Sequence, residues 1–512
     1  MFVDRARDVR PDFALTDANA ATIADIAVRL EGLPLAIELA AARVKLLPLE
    51  ELHRRLADQL GLLGGARAAT DAGTRQRTLR ETIQWSYDLL TADEAALFSR
   101  LGVFRGGAPL ALIAQVLRAD DDLVLMEQLG SLIDKSILRR VEDEDELRVD
   151  MLETLREFAI DRLEAAGEVD DLRSRHAAAY VAWMEAAAPK LSGDEARRWL
   201  DRAELEHNNL RAALGWAMES ATPAIALRIV VAAWRFWQMR GHIVEGRERA
   251  EQALRLAGEV DQALHVRALE AAGSLAYWQG DFRGARDHYG SWLEIERATG
   301  DEAGVAAALY NLSFANFVSR DDLPTGRRQA GEALEIYRRL GDEPGVALTL
   351  WALGGIELSD HDGDLDAAAV YLDEAKQLLA ALGNRPMLAW AHFMSGGVAT
   401  RRHEVAAARQ AINQALRDFK TIHDLSGYAM GLRAAARLEW LEGRPRSAAR
   451  LAGASARIET MSGAQLTGWT TESWSEGFDV QHMRTDSGLT DAWNEGESLD
   501  PESAVEMALR IG

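Results

Sequence analysis

The chain has 512 residues, 48% hydrophobic and 27% charged, a globular composition long enough for roughly three domains. Its 58 basic and 81 acidic residues give a net charge of −23, which disfavours general binding to nucleic acid or anionic membrane, because that affinity depends on clustered Lys and Arg. Cysteine is absent, which excludes disulfides and thiolate metal sites, and no apolar run approaches the ~20 residues of a membrane helix. The N-terminus MFVDRARDVRPDF lacks the apolar core of a signal peptide, so a cytoplasmic location is expected.

Ala, Leu, Arg and Glu dominate, and apolar residues recur three and four apart, which predicts a mainly all-α fold. Residues 1–60 read as a helical subdomain. Asp17 is placed to cap a helix over Ala20–Leu30, Gly32-Leu33-Pro34 breaks it, Pro34 opens a second helix to about Leu46, and a third follows Pro48. Residues 61–75 form a Gly/Ala-rich connection. The turn Gly32-Leu33-Pro34-Leu35-Ala36 resembles the signature of NB-ARC domains in STAND-class signal-transduction ATPases, where it caps a helix lying against the adenine of a bound nucleotide. The resemblance implies a nucleotide-binding remnant at Gly32, Leu33 and Pro34.

In that family the phosphate loop lies well over a hundred residues upstream of this turn, and here 31 residues precede Gly32. A phosphate loop needs glycine amides to cradle the anion and a lysine to reach the outer phosphates. The five lysines are Lys45, Lys135, Lys190, Lys376 and Lys420, and none follows a glycine. Lys135-Ser136 and Lys420-Thr421 have the right following residue, but Asp134 and Phe419 stand where glycine is required. The expectation is no enzyme activity and no bound cofactor. ATP or ADP enters only if the missing nucleotide-binding core is supplied elsewhere.

Residues 61–165 predict a winged-helix-like domain. RTLRETIQWSYDLL, ALFSRLGVFRGG, LGSLIDKSILRR and LRVDMLETLREFAIDRL, within 76–165, resemble the winged-helix part of the same bacterial regulators. Leu132–Arg140 and Leu147–Asp150 read as two short strands, with the five acids Glu142 to Glu146 at the hairpin tip. The segment 76–165 holds 11 basic and 19 acidic residues, so this wing is not expected to bind DNA. Where the family carries Met-His-Asp, this chain has Met151, Leu152 and Glu153. The histidine is missing, so no phosphate ligand carries over, and Glu153 reads as a helix-start acid, with a switch carboxylate as the alternative.

Residues 166–260 predict a helical linker or cap. Glu206-His207-Asn208-Asn209-Leu210 resembles the linker that precedes the repeats in these regulators and reads as polar surface on a packed helix. Five repeats of about 41 residues follow over 261–462. Small residues recur at Gly273, Ser313, Gly354, Ser395 and Ala436 in the first helices, and at Ala285, Gly326, Ala368, Ala408 and Ala448 in the second. Antiparallel helices approach closest at one point each, and only Gly, Ala or Ser fits there. GSLAYWQGDFRGARDHYGSWLEI (273–295) resembles a tetratricopeptide unit, which has ~34 residues, and HEAT-like repeats are the competing reading. Residues 463–512 read as capping helices, and no basic recognition helix follows them in this sequence.

No paired histidine spacing or HExxH motif supports a metal site. Ser359-Asp360-His361-Asp362-Gly363-Asp364 departs from the calcium-loop pattern, with Gly fourth and Tyr371 twelfth counting from Asp360. Tyr277, Asn311, Asn316 and Trp351 are the candidate lining of a partner groove on the first helices. The resemblance implies a regulatory protein acting as a tetratricopeptide scaffold for a protein or peptide, a remnant of a STAND-type transcriptional regulator without its own ATPase core. The alternative is a split or truncated ATP-dependent regulator, with its core upstream or in trans and an array that senses an effector.

Overall fold

The structure, a computed structural model, describes residues 1–30, 32–61, 72–141, 146–192, 195–319, 322–463 and 478–511. It is an all-α solenoid with one small sheet. The chain divides into two compact units, Met1–Tyr180 with Glu206–Trp216, and Val181–Leu205 with Ala217–Gly512. The division falls inside two helices, Val169–Ala187 and Ala196–Glu219, and not at any of the breaks expected from composition.

In the first unit, α1 (Phe2–Val9), α2 (Ala20–Arg29), α3 (Pro34–Ala42) and α4 (Leu49–Gly61) enclose a core that includes Ile26, Leu30, Ala40 and Leu52. The residue preceding α2 is Asn19, not Asp17; the Asn19 side chain accepts from the Thr16 amide and holds the entering turn. α3 ends four residues before Leu46, because Arg43–Lys45 tightens into a 3-10 turn. The connection 61–75 lies largely outside the described residues. Beyond it come α5 (Ala72–Asp88), α6 (Ala92–Leu101), β1 (Ala108–Pro109), α7 (Leu110–Leu117), α8 (Asp122–Asp134), β2 (Arg139–Val141), β3 (Arg148–Asp150), α9 (Glu153–Ala165), α10 (Val169–Ala187) and α11 (Ala196–Glu219).

The sheet is antiparallel with order β1-β3-β2. Of the strand expected over Leu132–Arg140, Leu132–Asp134 is the last turn of α8 and 135–138 is turn: Asp121 caps α8 through the Leu123 amide at 2.8 Å, and Leu125, Leu129 and Leu132 bury one helical face. Ser136, at φ 56°, turns the chain so that the strand starts only at Arg139. The acidic tip residues Glu142, Asp143, Glu144 and Asp145 lie outside the described residues. Glu153 opens α9, and Arg156 Nε donates to its Oε2 at 2.7 Å.

The second unit carries α12 (Pro223–Arg240) and α13 (Ile243–Arg255), a helix pair within the expected cap region. Five more pairs follow: α14 (Gln262–Trp278) with α15 (Phe282–Thr299), α16 (Glu302–Ser319) with α17 (Leu323–Leu340), α18 (Glu343–Ser359) with α19 (Leu365–Ala381), α20 (Arg385–Arg401) with α21 (Val405–Ile422), and α22 (Leu425–Leu441) with α23 (Pro445–Ser462). Aspartates or an asparagine at the turns cap the helices through backbone amides: Asp281 to Gly284, Asp342 to Gly345, Asn384 to Met387 and Asp424 to Gly427.

The small residues sit where helices touch. A Cβ on Gly273 would lie 2.6 Å from the Tyr289 ring, and one on Gly354 would lie 2.7 Å from Leu372 Cγ. Ala285, Ala368, Ala408, Ala436 and Ala448 are fully buried. In the fourth pair the contact falls on Gly396, where a Cβ would meet Ile412 Cγ1 at 2.6 Å, while Ser395 is only half-buried.

Residues 464–477 lie outside the described residues, and α24 (Val480–Thr485), α25 (Thr490–Glu497) and α26 (Pro501–Ile511) end the chain. α25 packs on α23 nearly backbone to backbone: a Cβ on Gly496 would stand 1.9 Å from the Arg450 carbonyl oxygen. The first and last pairs also meet. Ser426 Oγ donates to the Gln238 carbonyl at 3.2 Å, Arg240 Nη1 lies 3.1 Å from His423 Nδ1, and the Gly241 turn packs against Ser462. Among the described residues, no helix is long and apolar enough to cross a membrane.

Candidate ligand-binding site

The first helices of successive pairs turn one face inward, and in the second unit these faces enclose a cavity of about 190 Å³. Its wall is mostly aromatic. Trp278 and Trp390 bring their rings to 5.4 Å, although 112 residues separate them in sequence. Phe314 stacks on Trp351 at 4.6 Å and 16°, and Tyr277 tilts against Phe314 at 5.0 Å. Offset and edge contacts of this kind hold rings in fixed places, so the wall is pre-formed.

Two charges enter this aromatic space. Arg235 of α12 places its guanidinium 4.1 Å from the Trp234 ring centroid, and Glu270 of α14 lies on the same lining. Among the described residues, neither side chain has a hydrogen bond or an ion pair. Arg235 is exposed and Glu270 half-buried, and the protein groups around each partly desolvate them, which holds the Arg235 pKa below its usual value and pushes Glu270 above the usual carboxylate range. Each lies within the other's field, and Arg235 partly offsets the rise at Glu270. The arrangement is a ring-sized aromatic slot with a cation and an anion that lack a counter-charge among the described residues, and Ser274 and Tyr289 share a hydrogen bond at 3.0 Å in its lining.

Of the expected groove residues, Tyr277, Asn311 and Trp351 line this cavity. Asn311 spends a donor on the Ala307 carbonyl at 2.9 Å. Asn316 is not on the lining; its Nδ2 donates to Gln329 Oε1 at 2.8 Å on the neighbouring helix. Arg235 and Glu270 were not anticipated. Their signal was a charged residue embedded in aromatic and small neighbours, AAWRFW and ALEAAG.

Gly32 adopts φ 67° in the turn before α3, with its amide donating to the Ala27 carbonyl at 3.0 Å. Gly32 and Pro34 are exposed and Leu33 is half-buried. All five lysines are engaged: Lys45 with Asp134, Lys135 with Glu94, Lys376 with Asp373, Lys420 with Glu506, and Lys190 over the Trp199 ring at 4.0 Å. Burial alone would raise the Glu94 pKa, but hydrogen bonds from Lys135, Ser131 and the Thr91 amide outweigh it and hold Glu94 at about 2.

The Glu206–Leu210 segment is not surface. Glu206, His207 and Asn209 are buried, and only Asn208 of the polar four is exposed. Arg148 of β3 pairs with Glu206 inside the first unit, with side-chain exposures of 2% and 4%, and also donates to the Gly106 and Gly107 carbonyls at 3.1 Å. Tyr180 Oη donates to Glu206 at 2.8 Å, and Asn209 bridges Glu206, the Gly107 carbonyl and the Arg105 amide. The motif is a buried lock between the sheet and α11. Desolvation drives the neighbouring His176 down to about 4, against the hydrogen bond its Nε2 donates to Asn209 Oδ1.

The chain is similar to helix-turn-helix-type transcriptional regulators. A protein of Mycobacterium tuberculosis H37Rv, provisionally named an HTH-type transcriptional regulator, is 36% identical over 322 residues, which cover 60% of this chain and 36% of that protein. A Mycobacterium bovis protein with the same provisional description matches equally. An uncharacterised M. tuberculosis H37Rv protein is 39% identical over 179 residues, covering 34% of this chain and 45% of its own length. This chain thus spans about a third of the length of the curated regulators it matches. No protein-family model matches the sequence. Among solved structures, a STAND protein with a tetratricopeptide repeat sensor from Pyrococcus horikoshii shares 16% identity, with a TM-score of 0.39 over 94% of this chain and 74% of that one. The apo form of RapI shares 13% identity, with a TM-score of 0.42 over 55% of this chain and 98% of that one.

Proposed function

We propose that this chain is the sensing part of a transcriptional regulator, with the repeat array receiving an effector in its aromatic cavity. The observation that carries the reading is the pair of unpartnered charges inside a pre-formed aromatic slot, in a chain 36% identical over 322 residues to a provisionally named regulator. The protein-scaffold expectation yields to a small effector here. The first and last helix pairs are tied together, and the cavity's free volume of about 190 Å³ suits one ring better than an extended peptide.

The chain turns over no nucleotide by itself in this reading, since the sequence holds no phosphate loop and its lysines are paired elsewhere. It makes no direct DNA contact through its acidic 76–165 segment, and it acts in the cytoplasm. Sensing is tested in the native host by substituting Trp351→Ala and comparing transcripts with the parent strain. The variant is expected to alter a defined transcript set while the protein stays at normal abundance. Identical transcript profiles across growth conditions refute the regulatory reading. Phosphate release from ATP by the purified chain, abolished by changing one of its own side chains, refutes the non-catalytic part.

A further inference from the structure

The cavity has three features that together select a ligand class. Its free volume of about 190 Å³ exceeds the ~150 Å³ of an apolar cavity that takes benzene, so one aromatic ring with a short chain fits. Its walls are aromatic, with Trp278 and Trp390 meeting across the array and Phe314 stacked on Trp351. Its two charges, Arg235 and Glu270, come from different helices, carry opposite sign, and have no partner among the described residues.

A purely apolar ligand would leave both charges without a counter-charge. A simple anion would satisfy only Arg235, and a simple cation only Glu270. A ligand carrying both signs satisfies both ends with charge-assisted hydrogen bonds, which are stronger than neutral ones. Planar guanidinium geometry suits a carboxylate in particular, because two parallel N–H donors meet its two oxygens.

We propose that this cavity binds a small aromatic zwitterion, its carboxylate on Arg235, its ammonium on Glu270, and its ring held by Trp278, Trp390, Phe314 and Trp351. The proposal names the effector class of the site read above as a sensor, and so rests on that reading.

The test is calorimetry of the full chain with L-phenylalanine, L-tyrosine and L-tryptophan, alongside phenylacetate, phenethylamine and N-acetyl-L-phenylalaninamide. At least one zwitterion is expected to bind about tenfold or more tighter than phenylacetate or phenethylamine. Arg235→Gln is expected to remove its advantage over phenethylamine, and Glu270→Gln its advantage over phenylacetate, while circular dichroism shows both variants folded. Trp390→Phe, which keeps a ring in the wall, is expected to retain binding within about tenfold.

The proposal is overturned if none of the three zwitterions binds the folded chain below ~10 mM. It is equally overturned if both charge substitutions leave affinity unchanged. Tight binding of the blocked N-acetyl-L-phenylalaninamide, equal to that of L-phenylalanine, replaces the zwitterion with a peptide segment. Zwitterion binding without transcriptional change in the host sinks the regulatory reading and leaves the site. A regulated transcript set with no zwitterion bound does the reverse.

Discussion

Removing Glu206 tests whether the buried lock holds the first unit together. Glu206 accepts from Arg148, Tyr180 and Asn209, and the Arg148–Glu206 side chains are 2% and 4% exposed, so water cannot replace the lost carboxylate. Glu206→Ala leaves the Arg148 guanidinium buried without a counter-charge, a change that costs about 3–5 kcal/mol. At about 2–4 °C per kcal/mol for a unit of this size, melting of the first unit falls by roughly 6–20 °C. Thermal melts by circular dichroism, with hydrogen exchange at Arg148–Asp150 as the local readout, measure it. The double variant Arg148→Met with Glu206→Leu removes both charges and is expected to recover most of the loss, because well-packed apolar replacements of buried pairs are close to neutral. A single-variant loss below about 1 kcal/mol, or a double variant as damaged as the sum of the singles, refutes the assignment of a coupled buried pair.

Three further outcomes follow from buried groups and close contacts. His176 sits at about 4 when folded, below its unfolded value of 6.5, so the unfolded chain takes up the proton first and stability falls between pH 6.5 and pH 4. That loss reaches about 3 kcal/mol, and His176→Gln is expected to flatten this part of a urea-denaturation pH profile. Burial raises Asp424 to about 6, so its ionisation above that pH disfavours the folded state, and stability declines from pH 4 to pH 6. Asp424→Asn keeps a capping oxygen for Gly427 and is expected to raise stability at pH 7 by up to about 3 kcal/mol, read as a shifted urea midpoint. Gly496→Ala is expected to cost about 1–3 kcal/mol or undock α25, because the clash is with the Arg450 backbone carbonyl and no side chain can move aside. Limited proteolysis between α23 and α25, unchanged from wild type, contradicts it.

The repeat was legible because its cause is local and periodic. Helices crossing closely demand a small residue at one point, so Gly273, Gly354 and the buried alanines announced the array before any coordinates existed. Phase alone could not separate Ser395 from Gly396, since both are small and only the Ile412 contact decides. The end of α8 was misread as strand because Leu132-Ile133 and Ile137-Leu138 are two apolar pairs too short to show a period, and the Asp121 cap lies eleven residues before Leu132. The Glu206–Asn209 segment misled for a different reason. A polar run looks exposed until its partner is known, and that partner, Arg148, lies 58 residues away. The cavity was half visible: Tyr277, Asn311 and Trp351 follow from first-helix position, whereas Arg235 and Glu270 show in the sequence only as single charges among aromatic and small neighbours.

The joined ends of the array set how it comes apart. An open stack of repeats frays from a terminus, because each outer unit has only one neighbour to leave. Here α12 meets α22 through Gln238–Ser426 and the turn before α22 through Arg240–His423, so the outermost pairs guard each other. Melting any one pair breaks a closed circuit of support, and loss of structure should spread through the whole array as a single event rather than creep inward.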